Sequence, residues 1–205
     1  MEQDVIQQAL RHIRRRDPIM RDVIRKAGPF TMRPNRNRFR ALVSSILSQQ
    51  ISGKAAASIK ARLVEHVKPD QISPQSIARL TPDRLRTVGV SNQKARYLLD
   101  LAERVVSGEL RLDRISRMRD EEVIEALIQV KGIGVWTAQM FLIFSLGRPD
   151  VFPHDDLGVR MAIRNLYGLE DLPTKEVSHK IAEPWRPYAS VASWYCWRSL
   201  EFKEN

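Results

Sequence analysis

The sequence predicts an all-α protein, on three observations. Asp17-Pro18, Ser73-Pro74 and Thr81-Pro82 each place a capping side chain before a proline suited to the first turn of a helix. Gly28, Gly89, Gly108 and Gly168 fall where helices are expected to stop. No period-two alternation runs long enough to support a strand. In chain order, helices are expected near residues 2–15 and 18–27, an N-terminal pair closed by Gly28. A basic, proline-containing linker follows at 29–38, its charges read as solvated. Helices are then read at 38–49 and 53–66, and two short ones start at the Ser-Pro and Thr-Pro caps, at 74–79 and 82–87. The helix at 92–107 stops at Gly108. Its entry, Val88-Gly-Val-Ser-Asn-Gln-Lys-Ala95, reads first as a capped turn and second as a backbone clamp. The helix at 120–130 is amphipathic, with Val123, Ile124, Leu127 and Ile128 on one face. The next, 135–146, is nearly all apolar. Helices at 156–167, 174–182 and 187–200 complete the chain.

A chain of 205 residues is long enough for a well-buried core, in one domain or in two small lobes around a cleft. With 43% hydrophobic and 28% charged residues it is globular, not disordered. Thirty-four Lys plus Arg against 24 Asp plus Glu give +10, which fits a polyanionic partner. Charge alone leaves acidic substrates and anionic membranes open. No apolar run reaches the roughly 18 residues of a membrane span, and Glu2 and Asp4 charge the start, so neither a span nor a secretory signal is expected. The expectation is a soluble intracellular protein. The single Cys196 forbids an internal disulfide and a cysteine-ligated iron–sulfur cluster or zinc site, and is read as a small buried residue among Trp194, Tyr195 and Trp197. His12, His66, His154 and His179 show no ligand spacing, so no transition metal and no cofactor are expected.

The segment Gln129-Val-Lys-Gly-Ile-Gly-Val-Trp-Thr-Ala-Gln-Met-Phe-Leu-Ile143 reads as a helix-hairpin-helix, a device that holds one phosphodiester of duplex DNA. Gly132 and Gly134 are expected because the turn demands backbone angles that other residues resist, and because a phosphate must reach the N–H groups without meeting a Cβ. Those donors open a helix whose dipole also favours the anion. About twenty residues on lies Asp155-Asp156. On the residues alone either aspartate can cap the helix starting at Leu157, and spacing does not choose between capping and chemistry.

Four blocks stand in one order: Ser48-Gln-Gln-Ile-Ser52, Val130-Lys-Gly-Ile-Gly-Val-Trp-Thr-Ala138, Asp150-Val-Phe-Pro-His-Asp-Asp-Leu157 and Ser193-Trp-Tyr195. With them the chain, from about Phe39 to Trp197, resembles the helix-hairpin-helix DNA glycosylase superfamily, and within it the AlkA-type 3-methyladenine branch. The resemblance implies a compact all-helical fold of two lobes around a cleft, without the N-terminal β domain of some members. A six-helix lobe at 39–148 would carry the hairpin, and 1–38 with 149–205 would form the second lobe from both chain ends.

The resemblance also implies roles. Extruding a nucleotide leaves a gap in the stack that something must fill. Gln50 falls at the intercalating position, with Gln49 beside it as a hydrogen-bonding partner. Lys131, Gly132, Gly134 and Thr137 belong to the DNA-binding hairpin. Asp156 falls at the position of the catalytic carboxylate, where an anion stabilises positive charge developing on the deoxyribose. Trp136 stands where bifunctional members carry a Schiff-base lysine, so hydrolysis without strand cleavage is implied. Trp136 and Trp194 fall at aromatic positions of the base pocket, where an indole face favours a cationic base. Met140 replaces a pocket tyrosine of some members. Trp185 and Trp197 are read as core packing. The backbone carbonyls of Ile128, Val130 and Ile133 are those with which the family's hairpin often holds a monovalent cation. The implied activity is excision of 3-methyladenine and 7-methylguanine from double-stranded DNA by a monomer without an iron–sulfur cluster, in nucleoid, cytoplasm or nucleus according to source. Two rival readings stand beside it, a glycosylase of the same fold for hypoxanthine or ethenoadenine and a non-catalytic damage-binding module. Retention of Asp156 speaks against the latter, since a pure binder gains nothing from a desolvated anion near phosphates.

Overall fold

The structure is a computed structural model and describes residues 1–202. Among these residues there is no strand, and no helix is long and apolar enough to cross a membrane. The helices are α1 (Gln3–Arg16), α2 (Pro18–Ala27), α3 (Arg38–Ser48), α4 (Gly53–His66), α5 (Pro74–Ala78), α6 (Pro82–Thr87), α7 (Asn92–Val106), α8 (Asp120–Ile128), α9 (Val135–Phe141), α10 (Leu157–Tyr167), α11 (Lys175–Ala182) and α12 (Ala189–Ser199). Every predicted helix forms, with ends shifted by at most two residues except at α9. There the expected helix 135–146 is α-helical only to Phe141 and widens into a π-turn over Leu142–Leu146. Two short 3₁₀ turns, Ile115–Arg117 and Glu183–Trp185, were not expected from the sequence.

The chain forms two compact units: a middle unit, Asn35–Phe141, and a terminal unit that joins Met1–Pro34 to the chain from Leu142 onward. In the middle unit α3 buries Phe39, Leu42, Val43, Ile46 and Leu47, a 3-4-3-4 spacing that makes one apolar face. α3 packs on α4, α7 and α9, while α7 gathers α5 and α6, and α8 pairs with α9. In the terminal unit α1 buries Ile6, Ala9, Leu10 and Ile13 on the same spacing. Helices α1, α2, α10 and α12 pack around Trp185, Tyr195, Met20 and Ile24, all essentially solvent-free. Cys196 is fully buried there, and burial pushes its thiol up from the ordinary range. Trp185 is core, as expected, and its Nε1 donates to Asp17 Oδ2 at 2.8 Å.

The predicted caps form. Asp17 accepts Met20 N–H at 3.0 Å at the head of α2, Ser73 caps α5 and Thr81 caps α6, each before its proline. The turn before α7 closes the same way, Ser91 accepting Lys94 N–H at 3.3 Å.

Candidate functional site

In the middle unit, Gly132 and Gly134 play different parts in one turn. Gly132 has φ +81°, and a Cβ there would lie 2.1 Å from Cδ2 of Tyr97, inside the ring's van der Waals surface. Glycine is required at that point by the fold itself. Gly134 is the correction: its backbone is not left-handed and a Cβ would meet nothing within 4 Å. The expectation that both glycines serve strained angles therefore fails at Gly134, because the turn's left-handed residue is Gly132 alone. What remains for Gly134 is the open approach to its backbone.

Hydrogen bonding sorts the hairpin's donors. Lys131 N–H donates to Asp100 Oδ2 at 2.9 Å, and Ile133 N–H to the Val130 carbonyl at 3.1 Å. Among the described residues, the N–H groups of Gly132 and Gly134 donate to no protein acceptor, and no backbone N–H donates to the carbonyls of Ile128 or Ile133. The Lys131 ammonium is exposed, 3.6 Å from Asp100 Oδ1. A row of open N–H groups at the head of α9 is the arrangement that receives an anion.

Beside this turn lies a cavity of about 430 Å³, lined by Gln49, Gln50, Gly132, Trp136 and Thr137 together with Gln93, Lys94 and Tyr97. Five residues predicted for binding or stacking thus meet in one unit. Lys131, Gly134 and Met140 do not line the cavity. Met140, half-buried, follows Trp136 one helical turn on. Gln49 Nε2 donates to the Gly132 carbonyl at 2.8 Å, which ties the end of α3 to the hairpin. Gln50 has φ +55°, the one positive value outside glycine among the described residues. Lys94 sets this loop, its Nζ donating to the Leu47 and Gln49 carbonyls, each at 2.7 Å. A cation on the last carbonyls of a helix satisfies acceptors that the helix leaves open. Partial burial lowers the Lys94 ammonium below the usual lysine range.

In the terminal unit the two aspartates part company. Asp155 is exposed and its Oδ2 lies 3.2 Å from His154 Nε2. Asp156 is only 8% exposed and caps α10, its Oδ1 accepting Val159 N–H at 2.8 Å. The same oxygen accepts Trp197 Nε1–H, also at 2.8 Å. Trp197 is therefore more than the packing residue expected from the sequence. Phe144 lies beside its ring, centroids 5.4 Å apart. Trp194, half-buried, contacts Phe30 at 4.7 Å and Tyr195 at 4.8 Å, and the Arg198 guanidinium stands 5.9 Å over its ring.

Sequence reasoning missed Lys94, Tyr97, Gly158 and Trp197. Gly158, inside the first turn of α10 with no turn to serve, was the one visible signal.

The HhH-GPD superfamily, described as base excision DNA repair proteins, matches residues 43–187. The Bacillus subtilis protein YfjP, which bears a provisional DNA-3-methyladenine glycosylase name, is 36% identical over 170 residues, covering 80% of this chain. The chain spans 59% of that relative's length. DNA-3-methyladenine glycosylase 1 of Schizosaccharomyces pombe is 36% identical over 179 residues, covering 84% of this chain and 78% of that protein. Among solved structures, Schizosaccharomyces pombe 3-methyladenine DNA glycosylase (Mag1) in complex with abasic DNA superposes with a TM-score of 0.83 at 33% identity, over 95% of this chain and 97% of the other. By the extent of that family match and these identities, the chain belongs to the HhH-GPD superfamily of base excision DNA repair proteins.

Proposed function

We propose that this protein is a monofunctional DNA glycosylase that hydrolyses the N-glycosidic bond of alkylated purines, 3-methyladenine and 7-methylguanine. The observation that carries the reading is the buried Asp156 carboxylate, held at the head of α10 by the N–H groups of Val159 and Trp197. An anion fixed in a dry setting stabilises a neighbouring oxocarbenium-like sugar and can orient water. An alkylated base leaves as a better leaving group because it is cationic, so one carboxylate suffices. The relatives' names and the abasic-DNA complex of the yeast structure support the same chemistry.

In this reading the nucleotide is extruded and Gln50 enters the stack, supported by Gln49. The hairpin, with Lys131, Gly132, Gly134 and Thr137, holds a phosphate of double-stranded DNA irrespective of sequence. A monovalent cation of the kind that family hairpins hold would be taken by the carbonyls of Ile128, Val130 and Ile133; those of Ile128 and Ile133 take no backbone bond, while that of Val130 accepts Ile133 N–H. Trp136, Met140 and Trp194 keep the base-pocket roles that the family resemblance implies. With tryptophan at 136 no amine stands at the Schiff-base position, and the product is an intact strand with an abasic site. The enzyme acts as a monomer, without an iron–sulfur cluster, in the compartment that holds the DNA.

One observation favours the rival substrate class. The guanidinium over Trp194 already occupies part of the attraction that an indole offers a cation, which narrows the preference for charged bases over neutral hypoxanthine. A single experiment decides both points. Duplexes carrying one 7-methylguanine or one hypoxanthine are incubated with enzyme, then treated with mild alkali or with borohydride. Alkali-dependent cleavage of the 7-methylguanine duplex, with no borohydride-trapped adduct, is expected. Cleavage of the hypoxanthine duplex alone would assign the rival substrate, and a strong trapped band would overturn the monofunctional mechanism.

A further inference from the structure

We propose that Trp197 is a positioning residue for Asp156, and that residue 158 is glycine so that this indole can reach the carboxylate. The inference rests on the reading of Asp156 as the catalytic anion. Two donors from different helices converge on one oxygen: Val159 N–H, from the turn that Asp156 caps, and Trp197 Nε1–H, from α12, 41 residues along the chain. A carboxylate held by its capping bond alone can still swing about its side-chain torsions. A donor from another element restricts that motion and helps to direct the group.

The donor's chemistry matters as much as its position. An indole N–H gives one hydrogen bond, accepts none and carries no charge. Arginine or lysine at this point would hold the carboxylate equally well, yet would set a full positive charge against it and cancel the field that a developing sugar cation requires. The indole holds an oxygen of the anion and itself adds no charge beside it.

Gly158 supplies the space. A Cβ there would lie 3.0 Å from Trp197 Cδ1, 3.2 Å from its Nε1 and 3.1 Å from Asp156 Oδ1, so the neighbours would have to move by a few tenths of an ångström. Its backbone is not left-handed, so no turn demands glycine. Within a helix glycine is weaker than alanine. The residue is explained by the approach of the indole. Phe144 packs beside the same ring.

The test is single-turnover release of 7-methylguanine, measured with duplex affinity on the same proteins. Trp197→Phe keeps an aromatic ring, smaller than the indole, and removes the donor. Its rate is expected to fall about 10-fold, the size of one hydrogen bond to a charged group, with the duplex Kd unchanged. Gly158→Ala, whose backbone alanine accepts readily, is expected to lose a few-fold through the same bond. The double variant is expected to be no slower than Trp197→Phe alone, because one interaction is removed once. A rate for Trp197→Phe within twofold of the parent, equal losses in rate and affinity, or multiplied losses in the double variant would overturn the proposal. If Trp197→Phe does not fold, Gly158→Ala at the parental rate overturns it. Asp156→Asn in the same assay separates the two levels. Normal release by that variant removes the reading of the site, whereas a slow Asp156→Asn beside a normal Trp197→Phe removes only the positioning role.

Discussion

Asp17 and Asp156 are built alike and stand in the same unit. Each is a buried aspartate, 6% and 8% exposed, that caps a helix through its Oδ1 and accepts an indole N–H at 2.8 Å. They differ in which oxygen the indole meets. At Asp17 the helix takes Oδ1, while Trp185 and the Tyr167 hydroxyl both bond to Oδ2, so the two oxygens tie α2, α10 and the 3₁₀ turn together. At Asp156 the helix and the indole share Oδ1. Asp17 also raises the Tyr167 hydroxyl, after burial, far above the ordinary phenol range. Burial, capping and an indole partner are therefore common to both and identify neither as functional. At Asp17 the indole ties down the oxygen that the cap leaves, whereas at Asp156 the indole of α12 reaches the capping oxygen itself.

The largest effect is expected at Asp156. Asparagine there keeps the cap and removes the charge, and base release is expected to fall about 10²–10³-fold with damaged-duplex binding kept or strengthened. Single-turnover rates and a Kd on one lesion duplex check this, and near-normal turnover would erase the contrast between the two aspartates. The next effect belongs to Asp17. Alanine removes a cap and leaves a buried indole N–H and a phenol without their acceptor, for a loss of roughly 2–4 kcal/mol in denaturant unfolding. Activity per folded molecule is expected to stay near the parent, and a specific loss of turnover would show that Asp17 is not merely a cross-link. The smallest effect is expected at Asp155, exposed beside His154. Asp155→Asn is expected to change stability by less than about 0.5 kcal/mol and turnover only slightly, in keeping with an exposed carboxylate. A loss approaching that of Asp156→Asn would mean that the pair acts together.

Most of the fold was legible because its punctuation is local. A capping side chain before proline and a glycine past the last turn act within one helix end, and Asp17, Ser73 and Thr81 all form the caps that their sequence suggests. The π-turn after Phe141 was not legible, because one extra residue per turn leaves the apolar pattern of Val135 to Leu146 unchanged. In the candidate site, the hairpin was visible through residue type and spacing, while Asp156 was singled out from Asp155 only by the family resemblance. Trp197 was not, since four tryptophans offer indole N–H groups and nothing along the chain says which one meets a carboxylate 41 positions away. Gly132 and Gly134 show the same limit. They look equivalent in sequence, yet Tyr97, 35 positions before the first, makes only that one obligatory for the fold.

Gln50 carries a consequence for the sequences this position can accept. With φ +55°, its backbone lies where glycine is at ease, asparagine is tolerated and β-branched residues are strongly disfavoured. A library at position 50 screened only for folding would therefore drift toward glycine and asparagine and lose valine, isoleucine and threonine. In the proposed role of filling a gap between bases, the residue needs reach, which glycine lacks entirely and asparagine offers one methylene short of glutamine. Under that proposal folding and repair draw the same site toward different amino acids, and the divergence between populations screened for each would measure how far function holds this residue away from what the backbone prefers.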